Sequence, residues 1–370
     1  MHRLQFHYTL SRDSSPALIR NPLIDLLQAV STQGSISAGA RALGLSYRHV
    51  WGELKRWENE LGSELLVWEK GQSARLSEFG NKLMWAERQA QARLAPQIES
   101  LRGELERAFA VAFDPRAHVA TLYASHDDAL AALREHALHP DAASAHGAQL
   151  HLDIRFCGSV DAIRALNEGR CVMAGFHTLQ HPAPGSLAER TYRPLLQPGL
   201  HKIIGFAERT QGLMVAAGNP LNLHSLADVQ RTRARFVNRA LGTGTRVVLD
   251  ELLAHAGIAA DTLEGYAHSE PSHTAAAHAV ASGSADVALG IAIAAHARGL
   301  DFVPLVQENY HLVCLKSALE EPSIAALRQV LQSATWRQSL AAMAGYQPSR
   351  SGEVLSLREV LPWWNFPKRK

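Results

Sequence analysis

The sequence predicts a multidomain α/β protein in which a small helical domain precedes a larger domain of alternating strands and helices. Two observations carry this prediction. Three short helical patterns and a hairpin occupy residues 21–76, and from about residue 117 short apolar runs alternate with helical segments. A chain of 370 residues is also too long for one ordinary core, so two or three domains are expected.

The composition is that of a globular protein, with 46% hydrophobic and 19% charged residues. No apolar run approaches the roughly 20 residues that cross a bilayer, and no export signal is evident, so we expect a cytoplasmic protein with no membrane partner. Cys157, Cys171 and Cys314 lie far apart and outside any CxxC motif, which is typical of a reducing compartment. Because HExxH and Cys/His finger spacings are absent, we expect no metal site and no cofactor.

The charge of the chain is unevenly distributed. Residues 1–110 contain 14 Lys and Arg against 12 Asp and Glu, and therefore carry the whole net charge of +2, whereas residues 111–370 contain 23 of each. A nucleic-acid partner would have to be met by a local basic patch rather than by a basic tail.

The first elements are predicted from alternation and from helix caps. Residues 4–10 alternate apolar and polar side chains, as a half-buried strand does. A first helix begins at Pro22, behind an asparagine cap, and ends near Gly34. A second helix runs from the Ser35 cap to Gly44.

The third helix is capped by Ser46 and has two distinct faces. Its apolar stripe, at spacings of four, three and four, consists of Val50, Leu54, Trp57 and Leu61. A three-helix core alone would account for that stripe, but not for the opposite face. This face concentrates donors and flat rings suited to phosphates and base edges, namely Tyr47, Arg48, His49, Trp51, Lys55 and Arg56. We therefore predict a helix that contacts DNA.

A hairpin and a long helix complete the N-terminal pattern. The hairpin has a basic turn at Lys70 and returns through Arg75, and we interpret it as a wing whose two cations contact DNA beside the third helix. The one-sided helical pattern from Ser77 to about Phe109 is too long for a three-helix domain to bury. This pattern favours a dimerisation helix.

Residues 21–83 resemble the winged helix-turn-helix domains of LysR-type regulators and, more closely, the N-terminal domain of molybdate-responsive ModE regulators. The stretch GSISAGARALGLSYRHVW carries the resemblance, and RLSEFGNKL resembles the segment after the wing, with Ser77 where threonine is usual. The resemblance implies a dimeric regulator that binds double-stranded operator DNA. The contacts it implies are Ser46, Tyr47, Arg48, Trp51 and Lys55.

In the larger domain, the stretch VNRALGTGTR at 237–246 ends a strand and opens a helix. Backbone N–H groups at that helix start would form an anion cradle together with hydroxyl and guanidinium groups. A tight turn into a packed helix would explain the two glycines equally well. The residues of this stretch that we assign to a ligand are Arg239, Gly242, Thr243, Gly244, Thr245 and Arg246.

Four further strand-to-helix junctions carry polar side chains. Taken singly, each of these residues could be an ordinary helix cap or a surface histidine. Ligands in such sheets bind outside the carboxyl ends of the strands, so we predict that the junctions share one cleft. The residues are Ser125, His126, Asp127, Gly158, Ser159, His177, Glu270, His273 and Thr274.

Over about residues 118–315, these motifs resemble the periplasmic-binding-protein-like domain of molybdate-binding type that occurs beside ModE-type DNA-binding domains. The resemblance implies a two-lobed, type II α/β fold that closes on molybdate or tungstate. A molybdenum-cofactor-related or other small anionic metabolite is the alternative. GSVDAI lacks the usual second glycine and leucine, and His311 stands where aspartate is common, which leaves the identity of the ligand open.

The resulting prediction is a DNA-binding transcriptional regulator that acts as a homodimer or tetramer and senses a small anionic effector. A ligand-binding protein whose N-terminal domain only dimerises is the alternative of another class. An enzyme is not expected, because adjacent Ser, His and Asp residues seldom form a relay and no nucleophile elbow or phosphate loop occurs. The expected domains are DNA binding at 1–80, a linker and dimerisation helix at 81–112, ligand sensing at 117–345 and a tail at 346–370.

Overall fold

In the computed structural model, the chain divides into two compact units, Met1–Ala95 and Pro96–Lys370. The predicted strand at 4–10, the wing turn with Lys70 and the last six residues lie outside the described residues. The residues that the structure describes are 21–68, 74–113, 117–138 and 150–364.

The N-terminal unit is a winged helix-turn-helix, as the sequence predicts. Asn21, Ser35 and Ser46 cap its first three helices by accepting backbone N–H groups. The two short strands pair in antiparallel fashion and form the wing. The elements are α1 (Pro22–Gln33), α2 (Ile36–Ala42), α3 (Tyr47–Leu61), β1 (Leu66–Val67), β2 (Arg75–Leu76) and α4 (Glu78–Phe113).

A buried glutamate in α3 holds the start of the wing. Glu58 Oε1 accepts the backbone N–H groups of Leu65 and Leu66 at 2.9 and 3.1 Å, and its other oxygen accepts Lys55 Nζ at 2.6 Å. Burial alone would raise the pKa of Glu58, but these hydrogen bonds hold it below its ordinary value. The position of β1 is therefore fixed by the third helix.

The second unit contains ten strands and ten helices among its described residues, apart from the end of α4. The strands are β3 (His118–Ala124), β4 (Leu150–Phe156), β5 (Met173–Leu179), β6 (His201–Val215), β7 (Phe236–Arg239), β8 (Ser269–Glu270), β9 (Val287–Ile291), β10 (Asp301–Leu315), β11 (Tyr346–Pro348) and β12 (Val354–Ser356). The helices are α5 (Asp128–Ala137), α6 (Ser159–Asn167), α7 (Leu187–Tyr192), α8 (Leu226–Thr232), α9 (Gly244–His255), α10 (His273–Ala281), α11 (Ala292–His296), α12 (Pro322–Gln332), α13 (Ala334–Ala341) and α14 (Leu357–Val360).

Two long antiparallel strands, β6 and β10, join two sets of three parallel strands, and we call them the crossing strands. The sheet order is β4-β3-β5-β10-β6-β9-β7-β8. Up to Arg209, β6 pairs with β11 and β12, and from Gln211 it pairs with β9. We call the side with β3, β4 and β5 lobe I and the side with β7, β8 and β9 lobe II. The arrangement confirms the predicted two-lobed α/β fold class.

Residues 346–364 belong to lobe I rather than to a separate tail, which corrects our expectation. β11 and β12 both pair with β6, with Tyr346 opposite Arg209 and Val354 opposite Ile204. Trp363 is only 5% exposed and packs in the same hydrophobic cluster as Phe176 of β5. The apolar side chains of this segment are buried, so it completes the sheet.

The second half of α4 packs on lobe I. Glu99 forms an ion pair with the buried Arg134 of α5 at 2.5 Å. Ser100 Oγ accepts the backbone N–H of Phe156, the last residue of β4, at 3.1 Å. Arg107 lies 3.4 Å from the carboxylate of Asp153. The long helix is thus part of the ligand domain from Pro96 onward.

Within the described ranges, no helix is long and apolar enough to cross a bilayer. No group of three or more His, Cys, Asp or Glu side chains there is arranged to hold a metal ion. All three cysteines are unbridged, and burial raises the pKa of Cys314 to about 12, which keeps this thiol protonated.

The close approach of Gly80 in α4 to the backbone of Leu65, just before β1, leads to a prediction about stability. A Cβ atom on Gly80 would collide with the carbonyl oxygen of Leu65, whereas one on Gly52 would meet nothing within 4 Å. We expect Gly80→Ala to destabilise this unit by about 1–3 kcal/mol, and Gly52→Ala to be neutral or stabilising by about 0.5–1 kcal/mol. Hydrogen exchange of peptides from residues 21–95 in the full chain measures both effects. Equal protection in the two variants would contradict the proposed collision.

Candidate functional site

The outer face of α3 matches the predicted DNA-contacting surface. Tyr47 and Trp51 are 49% and 42% exposed, and Arg48 and His49 are also exposed. The Ser46 hydroxyl is used as the helix cap, where it accepts the backbone N–H of His49 at 3.2 Å. Exposed aromatic rings beside cations suit contacts with bases and phosphates.

Acidic neighbours already engage two of the predicted DNA contacts. Lys55 Nζ lies 2.6 Å from Glu58, and Arg56 lies 2.6 Å from Glu53. Arg48 has no such acidic partner among the ion pairs of the described residues. Arg75 is exposed on β2, in the wing. Arg48 is therefore the cation of this helix face that is best placed to bind a phosphate or a base edge.

The predicted ligand residues of the second unit meet between the two lobes. Ser125 and Ser159 of lobe I bring their hydroxyl oxygens to 3.4 Å, and Thr245 of lobe II lies 3.3 Å from His273 Nε2. The members that are buried are Ser125, Asp127, Ser159, His177, Arg239, Thr243, Gly244, Thr245, Arg246, Glu270 and His273, while His126, Gly158, Gly242 and Thr274 are half-buried.

A buried ion-pair network occupies the centre of this region. Arg209 of β6 donates to Asp127 and to Glu308 of β10. The Tyr346 hydroxyl donates to Asp127 at 2.7 Å, and Gln211 Nε2 donates to Glu308 at 2.8 Å. Burial would lower the pKa of Arg209, but the two carboxylates raise it well above its ordinary value. The charge of Arg209 is thus satisfied within the protein.

One hydrogen bond continues from this network to lobe II, and a longer contact reaches lobe I. Gln211 Nε2 also lies 3.2 Å from Thr245 Oγ1 at the start of α9, in lobe II. His177 Nδ1 of lobe I lies 3.7 Å from Glu308, and its ring centre lies 3.9 Å from that of Tyr310. The crossing strands therefore place polar groups where the two lobes face each other.

Several donors in this region are buried without a partner. Nε and Nη1 of Arg239, both ring nitrogens of His177 and Nδ1 of His273 have no hydrogen-bond partner among the described residues. The three side chains are only 1%, 1% and 2% exposed. Burying unsatisfied polar groups is costly, so such a cluster is a candidate for binding a ligand.

The electrostatics of the cluster suit an anion. Burial, followed by the charge of Arg209, lowers the pKa of Arg239 to about 9, so this guanidinium is cationic at neutral pH. Burial also lowers the pKa of His126 to about 3, and it holds those of His177 and His273 well below the ordinary value. The histidines are consequently neutral, and each can donate one hydrogen bond.

Arg246, to which the sequence assigned the charge of the site, is already engaged by neighbouring side chains. Its Nε lies 3.2 Å from both carboxylate oxygens of Asp250, one turn further along α9, and its guanidinium lies 4.0 Å from the ring centre of Tyr266. Thr243 is committed as the cap of the same helix. The cation that is left for a ligand is therefore Arg239, seven residues earlier in the same stretch.

Four polar residues of the crossing strands were not predicted as site residues, namely Arg209, Gln211, Glu308 and Tyr310. The sequence nevertheless contains a pattern that could have indicated them. Arg209 and Gln211 occupy alternate positions within the largely apolar stretch IIGFAERTQGLMV, so both side chains face the same side of the strand.

The adjacent Ser125, His126 and Asp127 are not arranged as a catalytic relay. The hydroxyl of Ser125 faces that of Ser159. The His126 ring packs on Phe156, with ring centres 4.7 Å apart, and Asp127 is bound by Arg209. A relay requires these groups to be hydrogen-bonded to one another, and here each takes a separate partner.

Surface cavities of about 420 and 190 Å³ are lined by other residues. The larger one lies beside the C-terminal segment and includes His181 and Arg358, and the smaller one includes Asn219 and Asp286. None of the predicted ligand residues lines either cavity. The polar cluster between the lobes is the better candidate, because it contains buried donors without partners.

The neutral histidines predict a loss of stability in acid. His177, His273 and His311 have lowered pKa values, whereas histidine in an unfolded chain binds a proton below about pH 6.5. Below that pH the unfolded state binds more protons, so unfolding becomes easier by about 1.4 kcal/mol per pH unit for each histidine. Burial raises the pKa of Asp128 to about 6, which opposes part of this slope.

Guanidinium denaturation at pH 7.5 and 5.5 measures this loss. The midpoint should fall at pH 5.5, and the fall should be smaller in His273→Asn. His224→Asn, which changes an exposed histidine, is the matched control and should behave as the wild type. A midpoint that does not move between the two pH values contradicts the assignment of neutral buried histidines.

Comparison with protein families gives two matches. Residues 141–332 match the model of the PBP superfamily domain. Residues 23–81 match the model described as bacterial regulatory helix-turn-helix protein, lysR family. The first match lies within the two-lobed domain, and the second covers most of the winged helix-turn-helix.

Similar proteins of known sequence are uncharacterised. The protein YvgK of Bacillus subtilis (strain 168) is 32% identical over 206 residues, which are 54% of this chain and 64% of YvgK, so the chain matches less than two thirds of that relative. A Clostridium pasteurianum protein, described as an uncharacterised protein in the 5′ region of the ferredoxin 2Fe-2S gene, is 32% identical over 111 residues, which are 30% of this chain and 98% of the relative.

Similar solved structures include regulators of low sequence identity. The OxyR C206 mutant of Corynebacterium glutamicum has a TM-score of 0.42 and 16% identity, covering 90% of this chain and 96% of its own. CbnR, a LysR family transcriptional regulator, has a TM-score of 0.39 and 17% identity, covering 83% of this chain and 98% of its own. Because these TM-scores and identities are low, the family assignment depends on the two family matches, and the fold assignment depends on the strand order. The chain belongs to the PBP superfamily, and its residues 23–81 match the helix-turn-helix model of the lysR family.

Proposed function

We propose that the protein is a transcriptional regulator that binds operator DNA through α3 and the wing and responds to a small anion bound between its lobes. The LysR-family match of residues 23–81 supports the first half of this proposal. The buried Arg239, whose Nε and Nη1 lack partners among the described residues, is the observation that carries the second half.

Molybdate or tungstate is the proposed effector. The donors available in the cluster are one guanidinium, neutral imidazoles and hydroxyl groups, all of which hydrogen-bond to oxyanions. The N-terminus of α9 adds backbone N–H groups that favour negative charge. A molybdenum-cofactor-related or other small anionic metabolite is the second candidate, because its phosphate would use the same donors.

The contacts of α4 offer a physical link between effector and DNA. Phe156, which is held by Ser100 of α4, is followed immediately by the Gly158 loop that faces lobe II. A change in lobe closure would move this loop and, through Ser100 and the ion pair of Glu99, the helix that carries the winged domain at its other end.

The same helix supports assembly as a homodimer, or as a tetramer built from dimers. Leu101, Leu105 and Phe109 of α4 are 58%, 40% and 43% exposed. An apolar stripe of this kind on a 36-residue helix is typical of a helix that pairs with a second copy. Sedimentation of the full chain tests this proposal, and a monomer at micromolar concentration would oppose it.

The DNA-binding half predicts a specific effect at Arg48. We expect Arg48→Ala to weaken binding to DNA selected from a random library by the wild type by about 1–3 kcal/mol, and to reduce the salt dependence of the affinity. Lys82→Ala is the control, since it removes the same charge from an exposed position on α4. Gel-shift titrations at several salt concentrations measure both variants. If the two variants lose affinity equally, α3 is not the recognition helix.

The proposed anion site predicts different effects on anion binding when Arg239 and Arg246 are replaced. Arg239→Met should abolish binding of molybdate and tungstate, and should also raise the melting temperature of the anion-free protein, because it removes a buried charge whose Nε and Nη1 have no hydrogen-bond partner among the described residues. Arg246→Met should retain anion binding, since that guanidinium is held by Asp250 and Tyr266.

Titration calorimetry of anion-stripped protein measures these effects, with sulfate and phosphate as controls. Both variants should still bind DNA, which separates the loss of effector from the loss of fold. Normal binding by Arg239→Met together with loss in Arg246→Met would assign the charge to Arg246 after all.

A further inference from the structure

We propose that Gly158 and Gly244 limit the size of the effector, so that the lobes close fully only around a compact oxyanion with a single tetrahedral centre. The proposal rests on the proposed function, since it assigns the effector to the cluster around Arg239. It selects between the two effector classes that the proposed function allows, and it names the residues that determine specificity.

The first contact between the lobes is made by the backbone at Gly158. This residue caps α6 in lobe I, and the loop of Gly242 precedes α9 in lobe II. The N–H of Val160 donates to the carbonyl oxygen of Gly242 at 3.3 Å. A Cβ atom on Gly158 would lie 2.8 Å from that oxygen and 3.0 Å from its carbon. Side chains essentially never approach backbone so closely, so a larger residue here would separate the lobes.

The second contact is made by Gly244, the first residue of α9. Its Cα faces His177 of lobe I, and a Cβ atom there would lie 2.7 Å from Cβ and 2.8 Å from Cγ of that histidine. The ring of His177 is 1% exposed and packs on Tyr310, so it has little freedom to swing aside. A Cβ at position 244 would therefore also force the lobes apart.

These two contacts fix the distance between the lobes, and therefore the size of the closed site. Main-chain atoms of lobe II meet main-chain atoms or a fixed ring of lobe I, and no rotation of a flexible side chain can widen the gap. A bulky ligand would have to separate the lobes. It would then break the hydrogen bond that the Val160 N–H of lobe I donates to the Gly242 carbonyl oxygen of lobe II.

The polar groups of the cluster that lack partners come from both lobes. His177 belongs to lobe I, whereas Arg239 and His273 belong to lobe II, so unpartnered donors come from both sides. An anion with acceptor oxygens in every direction can satisfy donors of both lobes at once. A pterin phosphate would have to place a ring system of many atoms between the lobes, which would separate them at the Gly158 and Gly244 contacts.

The test uses calorimetry on the anion-stripped full chain with molybdate, tungstate, sulfate and phosphate, and with adenosine monophosphate as a phosphate that carries a ring system. We expect at least one compact oxyanion to bind, and adenosine monophosphate not to bind. Gly158→Ala and Gly244→Ala should each weaken that binding by tenfold or more. The control is Gly103→Ala, whose Cβ would make only ordinary contacts of 3.6–3.9 Å and which should bind as the wild type.

Failure of this proposal is distinguishable from failure of the proposed function. If no compact oxyanion binds, if adenosine monophosphate binds more tightly, or if both glycine variants bind normally, the size limit is wrong. Gel shifts with selected DNA test the regulator independently of these results. The two glycine variants act at separate contacts, so a folding defect in one, seen as a loss of DNA binding or of circular dichroism, leaves the other to decide.

Discussion

The buried guanidinium of Arg209 is the group on which the ligand domain depends. It joins Asp127 at the start of α5 to Glu308 on the opposite crossing strand, and all three side chains are almost completely buried. Loss of either carboxylate would weaken the compensation of a buried charge, which typically costs about 3–5 kcal/mol when a buried pair is broken. Because Arg209 occupies both carboxylates, Arg239 is left as the cation that can attract an anion.

The N-terminal domain could be predicted in detail because its signals are local. The caps at Asn21, Ser35 and Ser46 bind N–H groups two or three residues away, and the burial of Val50 and Leu54 follows from helical spacing. The same reasoning identified the strand ends that meet between the lobes. In both cases, the information lies within one turn of a helix or one strand-to-helix junction.

What the sequence did not predict depends on contacts between distant residues. Arg209 lies 82 positions from Asp127 and 99 positions from Glu308, so no local sequence pattern indicates that they form ion pairs. The case of Arg246 is different, because its partner Asp250 lies only four positions along the same helix, a spacing at which ion pairs form. Residues 346–364 also seemed peripheral because their partner strand, β6, lies far upstream.

The pairing of β11 and β12 with β6 also has a consequence for the order in which the protein forms during synthesis. The winged domain consists of neighbouring segments and can fold as soon as it leaves the ribosome. Lobe I lacks two of its strands until residues 346–356 have been made, so β6 has an unpaired edge in the meantime. A nascent chain would therefore complete its winged domain well before the sheet of its second unit.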